Sequence, residues 1–219
     1  MRAERMPKQT KAAKQKKPNK TSSKAAKKAT SKKSGAERRM DGGLGAKKVD
    51  VTWATEESGL LLALSIKTIN FKDSKTNNFQ KNLTNRRNDL LFESTTLHRR
   101  FPYATLGGFF FLDAGAKNDN AKHKEDNTKS RESTFVNAHR RLKMFTGRDD
   151  PFGRPEQYEK IFIILVDASP EKVTLEAYRA GEPDTQVDID QALTELLEIV
   201  ADRSPDFYEV ENGELVKSS

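Results

Sequence analysis

The chain has 219 residues, 34% of them apolar and none a cysteine. That apolar share is too low for every segment to join a core, and the missing thiols exclude both a disulfide framework and a thiolate metal site. The formal charge of +8 hides a division, because residues 1–48 carry 17 Lys/Arg against 3 Asp/Glu while residues 49–219 carry 23 against 29.

Residues 1–45 are built from Lys, Ala, Thr, Ser, Gln and Pro, with almost no large apolar side chain before Leu44. Such a segment buries too little surface to offset its ordering entropy, so a disordered Lys-rich tail is expected over 1–45 and a single α/β domain over 46–219. Its lysines would neutralise phosphates on nucleic acid without reading sequence, or simply keep the chain in solution. GGLG at 42–45 reads as the hinge into the domain. VDVTWA (49–54) alternates as a half-buried strand, TEESG as a turn, and 60–69 as a central apolar strand.

A helix is expected over 85–101, capped by Thr84 or Asn85 and ended by Pro102. At helical spacing Leu90, Ser94, Leu97 and Phe101 share a stripe, and Arg86, Asp89, Glu93 and Arg100 form a charged stripe bordering it. YATLGGFFFLDA (103–114) reads as the next buried strand, its paired glycines marking a close backbone approach, as under a packed helix. A flexible polar excursion over 115–131, a second helix over 133–146, a core strand over 160–168, an edge strand over 173–178, a helix over 190–201 and a short FYEV strand follow. The order implies a central mixed sheet flanked by helices.

No run reaches the roughly 18 apolar residues that cross a bilayer, and no secretory segment opens the chain. A cytoplasmic place is expected, or a nucleoid-associated one in a bacterium. Three scattered histidines argue against zinc: His98 reads as structural or surface, and His123 and His139 as solvated. No GxxxxGK[ST] loop appears, and no GxGxxG follows a strand. A Ser65–Lys67 dyad hydrolase is disfavoured because neighbours at i and i+2 on a buried strand offer no exposed nucleophile.

The chemistry gathers around 47–73. Ser65 and Lys67 share one face of their strand, and Asp50 on the neighbouring strand can lie opposite them. Here the sequence resembles the PD-(D/E)XK nuclease superfamily, in Asp50 followed by SIK (65–67) where the family has an acid, any residue and lysine. More narrowly, SIKTINFKD (65–73), KNLTNRRNDLLFES (81–94) and HRRFPYATLGGFFFL (98–112) are similar to a group of uncharacterised bacterial restriction-endonuclease-like proteins, with the likeness extending over roughly 47–170. The resemblance implies a restriction-endonuclease-like fold and Mg²⁺-dependent cleavage of DNA. It departs at Ser65, a hydroxyl where an acid is usual and a poorer ligand for a hard cation. Some members of the superfamily replace that acid from the following helix, which makes Glu93 the first candidate here and Asp89 the second. The helix that usually precedes the Asp strand is not evident.

The resemblance thus implies Asp50, Glu93 and Asp89 as Mg²⁺ ligands, Lys67 at the scissile phosphate or attacking water, and Ser65 as a lesser oxygen donor. Plainer readings stay open: Asp50 a solvated strand-edge acid, Lys67 a snorkelling strand end, Glu93 an ordinary partner of Arg86 or Arg100. Arg99, Arg100, Arg140 and Lys143, with Arg141 and Arg148, are candidate phosphate contacts, or a solvated charged face. The expected partner is DNA, with a homodimer allowed and no membrane. The alternatives are a noncatalytic nucleic-acid-binding protein that uses the tail for affinity, and a protein–protein module.

Overall fold

A computed structural model describes residues 38–119 and 132–218. The expected disorder of 1–37, His123 and most of the 115–131 excursion lie outside the described residues. The tail boundary at 45 is corrected. Strands β1 (Arg38–Gly42) and β2 (Gly45–Val49) pair antiparallel, so GGLG is the turn of a hairpin rather than a hinge. Met40 and Val49 turn inward from this otherwise charged ribbon, and Gly43 donates its amide to Thr96 O, 2.8 Å away on the helix beneath.

Six strands form the central mixed sheet, in the order β3 (Val51–Thr55), β4 (Gly59–Ile69), β5 (Thr105–Asp113), β6 (Lys160–Ala168), β7 (Val173–Arg179) and β8 (Gln186–Val187). The β4–β5 and β5–β6 pairs are parallel and the others antiparallel. The parallel strands are near-continuous apolar runs because both faces are covered. Strand β7 is less of an edge than expected, since β8 covers Ala177 and Tyr178.

Helices α1 (Leu83–His98) and α2 (Thr134–Leu142) join the core on one face, where Leu83, Leu90, Leu97, Phe135, Ala138 and Leu142 meet Ala63, Ile69, Leu106, Phe110 and Ile163. Helix α1 begins two residues and ends three residues earlier than expected, and neither Thr84 nor Asn85 caps it; Asn82 holds that place without a side-chain bond. Helix α2 stops at Leu142 and tightens into a 3-10 turn at Lys143–Phe145. On the other face α3 (Ile189–Arg203) sets Ala192 and Leu196 against Phe109, Phe162, Ile164 and Ala177. Gly107 explains how close α3 comes: a Cβ there would stand 2.6 Å from the Leu196 side chain and 2.8 Å from that of Leu64. The expected FYEV strand lies within a terminal hairpin, β9 (Tyr208–Glu211) and β10 (Glu214–Lys217), whose Tyr208 ring meets Trp53 edge-on at 5.0 Å.

Candidate active site

The sheet opens at Asp50. Strand β3 pairs with β4 from Thr55 to Val51, opposite Leu64, and there the ladder ends because the chain bends at Asp50 into the β1–β2 hairpin. The Asp50 side chain takes over where the backbone leaves: its Oδ2 accepts the Ile66 amide at 2.6 Å. Asp50 is thereby fixed beside Lys67 instead of being a loose edge acid.

Period-two alternation puts Ser65 and Lys67 on the α1 face of β4. Helix α1 turns Leu90, Glu93, Ser94 and Leu97 inward, so a carboxylate is buried within an apolar stripe. Lys67 Nζ lies 3.3 Å from Glu93 Oε2 and 3.7 Å from Asp50 Oδ2. The Lys67 side chain is only 13% exposed, so it is held between two acids and does not snorkel to water. Ser65, itself buried, donates to Glu93 Oε1 and sits 3.1 Å from the Tyr158 hydroxyl. Tyr158 lies at full burial, which pushes its hydroxyl well above the ordinary phenol range, with the nearby Glu93 charge adding to the effect. The phenol therefore remains a donor.

Asp50, Lys67 and Glu93 border a cleft of about 420 Å³ that Lys47, Lys48, Ile66, Arg86 and Asp89 also line. Glu93 does not pair with Arg86 or Arg100. Arg86 instead meets Asp89 at 3.5 Å on the half-exposed helix rim, and Arg100 lies over the Phe101 ring. Asp89 thus lines the cleft while its carboxylate is engaged with Arg86. Ser65 faces Glu93 and Tyr158, not the cleft, so it is no direct oxygen donor there.

The expected phosphate contacts fall elsewhere. None of Arg99, Arg100, Arg140 and Lys143 lines the cleft; Arg99 and Arg100 are exposed beyond the end of α1, and Arg140 pairs with Glu132 at 2.7 Å. Arg141 bonds Thr84 and Asn137. Arg148 does not lie on a solvated charged face: it is buried and paired with Glu159 at 2.7 Å. His139 is a correction: it is buried rather than solvated, accepts the Gly181 amide at Nδ1, and stacks edge-on with Phe135.

Sequence reasoning missed three features. The hairpin that carries Lys47 and Lys48 is one, since its first strand falls inside the expected tail, although inward Met40 and Val49 on either side of a glycine turn are a hairpin signal. Tyr158 carried no local signal. Glu159, at the mouth of β6, is the buried hub that binds Arg148 and Arg203 at 2.7 Å each, the Leu106 amide at 2.7 Å and His98 Nε2 at 3.4 Å. Comparison with family models, with curated proteins and with solved structures gives no match.

Proposed function

We propose that this chain is a Mg²⁺-dependent DNA endonuclease with a restriction-endonuclease-like site at Asp50, Lys67 and Glu93. The observation that carries the reading is their convergence: an acid from the β2–β3 bend and an acid from α1 both come within 3.7 Å of the β4 lysine Nζ, at the edge of a cleft that Lys47, Lys48 and Arg86 also line. A strand lysine flanked by two acids is costly to assemble for stability alone.

The donor set suits a hard cation. Among the described residues no group of three or more His, Cys, Asp and Glu side chains gathers, but Mg²⁺ commonly takes one or two carboxylates and keeps several waters. Asp50 and Glu93 would hold it, with Asp89 farther out on the rim. Bound there, the ion would supply Lewis-acid polarisation of a phosphodiester oxygen. Lys67 Nζ, set between the two acids, can steady charge growing on the phosphate or orient an attacking water. Lys47 and Arg86 line the approach and would neutralise neighbouring phosphates.

Supercoiled-plasmid nicking in Mg²⁺ tests this. The parent is expected to nick, and Asp50→Ala and Lys67→Ala each to lose nicking with circular dichroism unchanged. Both variants cutting as the parent does would refute the site assignment. The second reading, noncatalytic binding to nucleic acid, is favoured by Ser65 in the usual acid position and by both acids being engaged with Lys67. DNA retention by the parent without metal-dependent nicking would decide for it.

A further inference from the structure

We propose that Tyr158 is a positioning residue of this site: through Ser65, its hydroxyl fixes the Glu93 carboxylate with one oxygen held inside the fold and the other turned to Lys67 and the cleft. The inference rests on the nuclease reading for its purpose, but not for its geometry.

Proton accounting gives the chain a direction. Ser65 donates to Glu93 Oε1, and that bond uses the one proton its hydroxyl has. The Ser65 oxygen is then an acceptor toward Tyr158, 3.1 Å away, and the Tyr158 hydroxyl must donate. Its other neighbour, Leu90 O at 3.3 Å, is also only an acceptor, so the phenol proton lies between two acceptors and never opposes the Ser65 proton. Both hydroxyl protons can run toward Glu93, and such a chain polarises each member in turn.

The elements make the clamp rigid. Tyr158 precedes β6, Ser65 lies mid-β4, and Glu93 lies one turn beyond Leu90 on α1, so the three hydroxyl and carboxylate groups tie β4 and the segment entering β6 to the helix. Tyr158, Ser65 and Glu93 are each almost fully buried, so bulk water does not compete for these bonds. With Oε1 engaged inward, Glu93 presents Oε2 to Lys67. A serine in the usual acid position thus acts as the support for an acid supplied by the helix.

Full-length parent, Tyr158→Phe, Ser65→Ala and Glu93→Gln are compared for Lys67 acetylation rate, read by peptide mass spectrometry, and for Mn²⁺ affinity, read by calorimetry. Tyr158→Phe is expected to raise Lys67 acetylation several-fold, toward the Glu93→Gln rate, and to weaken Mn²⁺ binding about tenfold, the scale of other groups that orient metal ligands. Ser65→Ala should do the same, and the double variant little more, because the two act through one chain. Should Tyr158→Phe fold poorly, Ser65→Ala carries the test. A lowered melting temperature with Lys67 acetylated at the parent rate in both variants overturns the proposal and leaves Tyr158 a packing residue. A parent that neither binds Mn²⁺ nor nicks DNA, yet shows faster Lys67 acetylation in Tyr158→Phe, sinks the nuclease reading and upholds the clamp.

Discussion

Lys67 on β4 and Glu93 on α1 are 26 residues apart in the chain and 3.3 Å apart at Nζ and Oε2. The contact crosses the strand–helix interface at a depth where an unpaired charge would be expensive, so each residue needs the other. Removing one member of a fully buried pair costs about 3–5 kcal/mol. Here Ser65 still holds Glu93 and Asp50 still faces Lys67, so we expect Lys67→Ala to cost less, about 1–3 kcal/mol by urea denaturation. A midpoint equal to the parent's would mean that the pair is not formed.

The same relationship predicts a charge-relocation cycle. Ser65→Asp alone sets a second carboxylate against buried Glu93 and should destabilise by about 2 kcal/mol or more. Adding Glu93→Ser returns the acid to the strand beside Lys67 and should recover much of that loss. Additive single effects would show that positions 65 and 93 do not share one pocket.

Glu159 is buried between Arg148 and Arg203, and its consequences are for folding. Burial pushes its carboxyl up, but the His98, Arg203 and Leu106 amide contacts outweigh it and leave it below the ordinary value of 4.5. A group held lower in the folded state gives stability that is complete above the unfolded value and is lost as pH falls through the folded one. Stability should therefore decline below about pH 4.5 in the parent, with a shallower decline in Glu159→Gln. Glu159→Gln should also cost about 3–5 kcal/mol at neutral pH, since Arg148 and Arg203 would keep their burial without their anion. Chemical denaturation across pH 3–8 measures both effects.

His139 titrates with a different window. Burial drives its imidazole down from 6.5 to about 4, against the pull of Asp184. The unfolded chain takes up this proton below pH 6.5 while the folded chain refuses it to about 4, so stability falls as pH drops through that interval. His139→Asn keeps an acceptor for the Gly181 amide and removes the titration, so the parent-minus-variant stability difference should shrink steadily from pH 6.5 to 4. A difference independent of pH over that range would refute the buried neutral imidazole.

Much of the fold was legible because its strands are long and apolar on both sides: 160–168 was read with the bounds the structure has, and 60–69 within one residue. The close helix above Gly107 was legible too, because a glycine pair inside an apolar strand has few other uses. The β1–β2 hairpin was not, since its two inward residues are outnumbered by charges that composition assigns to a tail. Glu93 was singled out by its place on the border of the helix stripe, and it is buried there. Its supports were hidden, because Tyr158 reaches Ser65 across 93 residues of sequence and no local pattern encodes that contact. The basic residues expected at phosphates lie away from the cleft for a related reason: a run such as HRRLKMF announces cations but not their partners, and Glu132 and Asn137 take up Arg140.

That last difference makes the DNA surface testable. If the cleft is where nucleic acid lies, Lys47 and Arg86 should contact phosphates, whereas Arg140 should not. Each lost phosphate contact lowers the dependence of log affinity on log salt by about 0.9 for duplex DNA. Lys47→Ala and Arg86→Ala are therefore expected to weaken binding of a short duplex and to reduce that slope by about one each, read by fluorescence anisotropy between low and moderate salt in Ca²⁺, which should permit binding without cleavage. Arg140→Ala is expected to leave both the affinity and the slope near the parent's. Lys47 also covers the exposed Phe92 ring from 5.1 Å, so Lys47→Met, which keeps an apolar chain over the ring, separates lost charge from lost packing. Lys47→Met behaving like the parent, with Lys47→Ala impaired, would assign the effect to packing and remove Lys47 from the DNA surface. Equal salt slopes for all four variants and the parent would place the nucleic acid away from this cleft and take the nuclease reading down with it.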